Sequence, residues 1–297
     1  MGLTLVSACF LGAYDLFKKH AVHGNATIPT LFFSVLAGAV IWGPLAVWQH
    51  GFPNSFSIEF LQIQSLSWRE HGLVLMKSIL VSGSWLFGYV AVKHLPLTIT
   101  GPVRSTSPLW TILIALTLMG ERPSLIQWTG AAIILGSFYA FSLVGKLEGI
   151  RFHKDRWIAY LIAATILGAC SGVYDKYLFQ NAKLDPSTVQ CWFSIDLPLV
   201  ILPFFLHWLF AQRNEKPFEW RWSIPMIGWM LLISDWVYFT AVSQPDALIS
   251  IISPMRRTSM LIVFLGGHWM YKESNIRRKA FCMVGMLIGV WVLKMES

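Results

Sequence analysis

Seven ionisable residues stand inside long apolar stretches of this sequence: Asp15, Arg104, Asp175, Asp196, Asp235, Arg256 and Arg257. A charged side chain at membrane depth costs about 2.5–3.5 kcal/mol on insertion scales, so each needs a partner or a wet cavity. Acids and bases in near balance can neutralise one another, or can exchange partners with a solute that carries both signs of charge. Asp235 falls near the middle of its apolar stretch, where a carboxyl group that trades protons could couple solute movement to protons. Mutual neutralisation of Asp235 with Arg257 is the alternative, and Asp196, just before Pro198, is a second candidate of the same kind.

Depth along a helix suggests who meets whom. Asp15 lies seven residues before Val22 (22 − 15) and Arg104 seven after Leu97 (104 − 97). At about 1.5 Å per residue both sit roughly 10 Å below the same membrane face, which predicts an Asp15–Arg104 ion pair. The same reasoning pairs Asp175 with Arg256 near the opposite face. Such pairs are gates or cavity walls on one reading, static structural pairs or snorkelling side chains on the other.

Pro102 and Pro254 lie well inside apolar stretches and cannot donate a helix hydrogen bond, so the carbonyls of Thr98 and Ser250 lose their usual partners and the helices break there. Arg104 with Ser107, and Arg256 with Ser259, form polar i,i+3 faces beside those breaks. Broken helix is tolerated where it lines a cavity and not where it faces lipid. Tyr14, Trp85, Tyr174 and Trp236 add aromatic walls that suit cations and zwitterions, or that simply pack.

Catalytic and cofactor signatures are missing: the sequence contains no HExxH, GxSxG, GxxxxGK or CxxC. No catalytic residue, metal ligand or cofactor is therefore assigned. Cys9, Cys170, Cys191 and Cys282 are scattered singly through apolar stretches and read as packing residues.

The elements that position these residues follow from composition. With 55% hydrophobic and 13% charged residues in 297, too little polar material is present to clothe a water-soluble globule. The solvent is lipid. The net charge of +8 resides mostly between apolar stretches, where Lys and Arg anchor helix ends against lipid phosphates, so no nucleic-acid partner is expected. The opening MGLTLVSACFLGAYDLF lacks a basic leader and reads as the first span.

A span needs roughly 20 mostly apolar residues. The segments that qualify run from Gly2 to Val22, Ile28 to Trp48, Gly72 to Val92, Leu97 to Met119, Leu125 to Val144, Trp157 to Phe179, Thr188 to Phe210, Pro225 to Val242, Ala247 to Met270 and Ile276 to Leu293. This predicts an all-α membrane protein of ten transmembrane helices. Most links are short, so neighbours run antiparallel; the two long ones are His50 to His71, with an amphipathic stretch FSIEFLQIQSLSW, and Lys146 to Arg156, which divides the chain.

The two halves resemble each other. GAYD at Gly12 to Asp15 recurs as GVYD at Gly172 to Asp175, and Phe33-Ser34 as Phe193-Ser194, at one offset (172 − 12 = 193 − 33 = 160). GPVRSTSPL from Gly101 recurs as SPMRRTSML from Ser253, aligning Pro102 with Pro254, Arg104 with Arg256 and Ser107 with Ser259 at another (254 − 102 = 152). Shared Asp, Arg and Pro inside apolar helices are hard to obtain from composition alone. Five helices per repeat is an odd number, so the second copy, residues 156–297, is expected to lie upside down relative to the first, residues 1–145. Gly285-x-x-x-Gly289 and Ala132-x-x-x-Gly136 would permit close helix approach or a dimer contact, and monomer and homodimer both stay open.

The stretch AVKHLPLTITGPVRSTSPLWTILIALTLMGERPSLIQWTGAAIILG closely resembles the end of an EamA-type repeat of the drug/metabolite transporter superfamily, with an early Pro in the fourth helix, a GE at its far end and a small-residue fifth helix. The second half resembles it more loosely. The resemblance implies a ten-helix secondary transporter whose cavity is lined by helices one, three, four, six, eight and nine, in a membrane expected to be the bacterial inner membrane. It also implies cytoplasmic termini, whereas the distribution of Lys and Arg between the links favours the outside. Superfamily members carry amino acids, nucleotide sugars, sugar phosphates, choline-like cations and drugs. The near-balanced acids and bases point to a small polar or zwitterionic metabolite, amino-acid-like in the first instance, moved by alternating access. A membrane-embedded enzyme or receptor with a polar intramembrane pocket is the alternative.

Overall fold

The computed structural model describes residues 2–52, 61–94, 103–104, 106–120, 122–144, 156–215, 217–259, 262 and 276–294. Among these residues the secondary structure is entirely helical: α1 Gly2–Val22, α2 Thr27–Gly51, α3 Trp68–His94, α4 Ser107–Leu118, α5 Leu125–Val144, α6 Arg156–Lys176, α7 Pro186–His207, α8 Ser223–Val242, α9 Ile249–Arg256 and α10 Ile276–Lys294. A π turn extends α6 through Tyr177–Asn181 and another extends α7 through Trp208–Gln212, while a 3-10 turn, Arg257–Ser259, follows α9.

Local sequence explains several boundaries. Asp185 caps α7 by accepting from the Thr188 amide and hydroxyl, with Pro186 in the first turn where a missing N–H costs nothing. Between α1 and α2, Gly24 takes a φ of +64°, and Asn25 ties that turn to a distant link by donating to the carbonyls of Ala21 and Glu219. Residues 61–67, the described part of the expected amphipathic link, are not an α-helix. Gln49 holds them instead, donating to the Leu61 carbonyl and accepting from the Ile63 amide.

Five described segments are long and apolar enough to cross a membrane: Thr27–Gly51, Trp68–Ala91, Arg156–Asn181, Pro186–Gln212 and Ser223–Val242. Apolar side chains such as Val40, Val47, Phe210, Phe281 and Trp291 point outward, as a lipid-facing surface requires.

Helix pairing joins the two halves throughout. The principal contacts are α1 with α8, α3 with α6, α2 with α7 and with α8, α3 with α7, α4 with α6 and with α9, α1 with α9, and α5 with α10. Renumbering every helix by five, so that α1 becomes α6 and α6 becomes α1, turns this set of pairings into itself. Small and hydroxyl residues sit at the closest approaches. Ser7 and Ser234 each donate to the other's carbonyl across α1 and α8, and Ser84 on α3 donates to the Ala164 carbonyl of α6. Gly285 and Gly289 of α10 meet Ser137, Ile134 and Gly130 of α5, so that glycine pair serves packing within the chain.

Candidate functional site

α3 begins at Trp68, so Lys77 lies nine residues into it (77 − 68), at a depth where its ammonium cannot reach water along the helix. It is buried and pairs with Asp175, near the end of α6 and equally buried. Phe193 of α7 and Phe239 of α8 each place a ring centroid 4.6 Å from the ammonium. The pair thus sits in an aromatic box that excludes water and strengthens the attraction between its charges.

A second pair lies beside it. Arg256, the last residue of α9, donates to the carboxylate of Asp235 on α8 and, at 3.3 Å, to the Ser234 hydroxyl. Its guanidinium also stacks over the Tyr238 ring, 4.1 Å from the centroid. Asp235 and Tyr238 are three apart on one helix, which puts both on the face that α9 meets. The Tyr238 hydroxyl in turn lies beside Asp175. Lys77, Asp175, Tyr238, Arg256 and Asp235 therefore form one chain of contacts running through α3, α6, α8 and α9. Its two acids and two bases cancel.

A third group of charges gathers between α1 and the helix breaks. Lys18 reaches back one turn to the Tyr14 hydroxyl at 3.3 Å and lies over the Tyr89 ring at 4.5 Å. Asp15 and Arg104 are both within Coulomb range of Lys18 and of Arg257. Arg257 donates to the Ser107 hydroxyl across the two halves at 2.9 Å. The breaks themselves match: Thr106 donates its hydroxyl to the Val103 carbonyl and Thr258 to the Met255 carbonyl, each at 2.7 Å and at the repeat offset of 152 (258 − 106 = 255 − 103). Pro254 lies within α9, and the helix tightens into its 3-10 turn directly after Arg256. Pro102 lies outside the described residues.

A narrow cleft of about 20 Å³, room for one water, opens between α2, α7 and α8. Ser34, Gln190, Ser194 and Asp235 supply its polar lining, with Gly228 among the apolar remainder.

The expected site residues thus separate. Asp175, Asp235 and Arg256 come together. Tyr14, Asp15, Arg104, Ser107 and Arg257 share the second neighbourhood, and Ser259 is buried in the 3-10 turn at its edge. Tyr174, donating to the Leu73 carbonyl, and Trp236, donating to the Ser187 hydroxyl, are committed to helix packing. Trp85 packs against the main hydrophobic core. Asp196, half-buried on α7, belongs to neither ion pair. The expected Asp175–Arg256 pair is replaced by two others, because Tyr238 stands between those residues and each charge finds a nearer partner. Arg257 likewise leaves Asp235 to Arg256.

Lys77 and Tyr238 are functional candidates that the depth argument missed. A span starting at Gly72 leaves Lys77 one turn from the surface; the observed start, four residues earlier (72 − 68), buries it. An ionisable residue within an apolar stretch was the available signal.

Residues 1–143 match the EamA-like transporter family. The chain is 28% identical over 129 residues to solute carrier family 35 member E4 of Rattus norvegicus, covering 43% of this chain and 35% of that protein. The human protein of the same name is 29% identical over 126 residues, covering 42% and 34% respectively. The match therefore spans about a third of the length of those relatives. A solved crystal structure superposes with a TM-score of 0.73 over 99% of this chain and 96% of the other at 16% identity, a likeness of fold. Through residues 1–143, just under half of its length, the chain is similar to the EamA-like transporter family.

Proposed function

We propose that this protein is a secondary transporter that moves a small polar or zwitterionic metabolite, amino-acid-like in the first instance, by alternating access between two inverted five-helix repeats, residues 1–145 and 156–297. The observation that carries the reading is the neutral chain Lys77–Asp175–Tyr238–Arg256–Asp235. Buried ion pairs contribute little net stability, since desolvation offsets most of their attraction, so four such charges are retained for a role that packing would not fill. A zwitterion offers a carboxylate to Lys77 or Arg256 and an ammonium to Asp175 or Asp235. Exchange of partners then replaces each internal pair without leaving a bare charge.

The inverted arrangement is supported by the helix pairings, which survive exchange of the halves, and by the matching Thr106 and Thr258 turns. α3 and α6 supply one pair, α8 and α9 the other, so relative movement of the halves would alter both. The cleft beside Asp235, about 20 Å³, has room for one water, so admission of a metabolite there requires that movement. Coupling through Asp235 would require its carboxylate to exchange Arg256 for a cation, a proton being the simplest. The bacterial inner membrane is the location we propose, on the EamA match alone.

The test is uptake of radiolabelled amino acids into proteoliposomes containing the purified protein. Saturable uptake that is accelerated by unlabelled solute inside the vesicles supports the reading. Absence of exchange for every amino acid tried, together with release of a chemically altered product, would replace the carrier by a membrane-embedded enzyme.

A further inference from the structure

The charges between α1 and the helix breaks do not balance. Lys18, Arg104 and Arg257 bring three cations together, and among the described residues Asp15 is the carboxylate in Coulomb range of both Lys18 and Arg257. Asp15 neutralises none of them directly, since none of the described ion pairs includes it. The other acids are engaged or remote. Asp175 and Asp235 already have Lys77 and Arg256, Asp196 on α7 has none of these cations in range, and the rest of the Asp and Glu residues stand outside the apolar stretches.

Lys18 can release its proton, whereas the two guanidinium groups cannot. The group therefore stays positive in either state, by two charges (3 − 1) or by one (2 − 1). A net charge at membrane depth is costly until an opposite charge neutralises it. The protein does not fill the Arg257 fork: one terminal nitrogen donates to the Ser107 hydroxyl, while Nε is fully buried and has no partner among the described residues. Arg104 is exposed, so the group is open to a ligand. Planar guanidinium forks match the paired oxygens of a carboxylate or phosphate. The neutral chain adjoins this group, because Tyr14 is in Coulomb range of Asp235, and Arg257 of Arg256 and Tyr238.

We propose that Lys18, Arg104 and Arg257 form an oxyanion subsite, which takes an additional carboxylate or phosphate group of a solute whose zwitterionic part meets the neutral chain. The inference rests on the carrier reading and narrows its substrate class to solutes of net negative charge, such as an acidic amino acid. Asp15 sets the strength of the subsite, because it opposes the anion that the three cations attract. Arg257 joins the two neighbourhoods: it follows Arg256 directly in the chain and reaches Ser107 of the other half.

The test is thermal unfolding of the purified full chain in phosphatidylcholine nanodiscs, titrated with sodium phosphate against sodium chloride at equal ionic strength and fixed pH. Phosphate is expected to raise the midpoint saturably, by roughly 3 °C. Arg257→Gln and Arg104→Gln, the second at an exposed position, are each expected to abolish that rise. Asp15→Asn removes the opposing carboxylate and should at least halve the phosphate concentration needed. Equal midpoints in the two salts would overturn the subsite, as would an undiminished rise in either arginine variant that folds. Discs containing phosphatidylglycerol, without phosphate, separate the possible sources of the anion. A rise there that the arginine variants abolish, with no further response to phosphate, would assign the anion to a lipid headgroup and overturn the solute subsite. Exchange of L-glutamate and of L-glutamine, alike in size and different in charge, is measured separately in proteoliposomes, and glutamate is expected to be preferred. Exchange without that preference, alongside a null thermal result, leaves the carrier standing and removes only the oxyanion subsite.

Discussion

Ser7 and Ser234 clasp α1 to α8 reciprocally, each hydroxyl donating to the other residue's main-chain carbonyl, at 2.8 and 2.9 Å, with the two oxygens 3.2 Å apart. The clasp lies immediately before Asp235, so it fixes the height at which that carboxylate meets Arg256. Interhelical hydrogen bonds in lipid are worth about 0.6–1.7 kcal/mol each. Ser7→Ala, which removes one donor and leaves the Ser234 carbonyl without it, is expected to destabilise by about 1 kcal/mol. Unfolding of purified protein in detergent, followed by helical circular dichroism, measures this. An unchanged midpoint would show that the clasp does not hold α8.

Lys77 and Asp175 make a sharper case, because removal of one partner strands the other in an aromatic box. Lys77→Met alone should cost about 3–5 kcal/mol, the usual penalty for an uncompensated buried charge. The double variant Lys77→Met with Asp175→Leu should recover most of that stability and still fail to transport. Recovery of both stability and uptake would make the pair structural only.

Much of this architecture was readable in advance, and the failures have one cause. The ends of α1 and α5 fall where apolar stretches meet Gly2, Val22, Leu125 and Val144, because hydrophobic length and short polar links are local properties of the chain. The Thr106 and Thr258 turns follow from matched R-x-T segments. Charge pairing is not local. Depth placed Asp175 level with Arg256 correctly enough that the two remain in Coulomb range, but it could not show that Tyr238 of a third helix would enter between them. Lys77 escaped because four residues at the start of α3 decide whether it snorkels or is buried.

Asp235 and Arg256 test the coupling. Asp235→Asn keeps the shape of the side chain and the stacking of Arg256 on Tyr238 while removing the charge that a cation would claim. Uphill accumulation of solute in vesicles should be lost, whereas exchange of labelled for unlabelled solute, which needs no coupling ion, should persist at a substantial fraction of the wild-type rate. Undiminished accumulation would take Asp235 out of the mechanism. Arg256→Lys, by contrast, keeps a charge but loses the planar fork that donates to the carboxylate and the Ser234 hydroxyl and stacks on the ring, so exchange itself should fall at least tenfold.

Gly12 and Gly172 occupy the same place in the GAYD and GVYD segments, yet the structure gives them different burdens. A Cβ at Gly12 would lie 2.6 Å from Ile262 Cβ and 2.8 Å from the Ser259 carbonyl oxygen, inside the distance that real contacts allow. Neither obstacle is the free end of a flexible chain, so α1 and the turn carrying Arg257 would have to separate. A Cβ at Gly172 would meet only the Tyr238 hydroxyl, at an ordinary 3.6 Å. Gly12→Ala is therefore expected to cost about 1–3 kcal/mol and to weaken transport by shifting Arg257, as overpacking does elsewhere. Gly172→Ala should leave the midpoint within about 0.5 kcal/mol of wild type. Measured side by side, equal tolerance at both positions would mean that α1 does not pack tightly against the turn after α9. The placement of Arg257 beside Ser107 would then have to be given up with it.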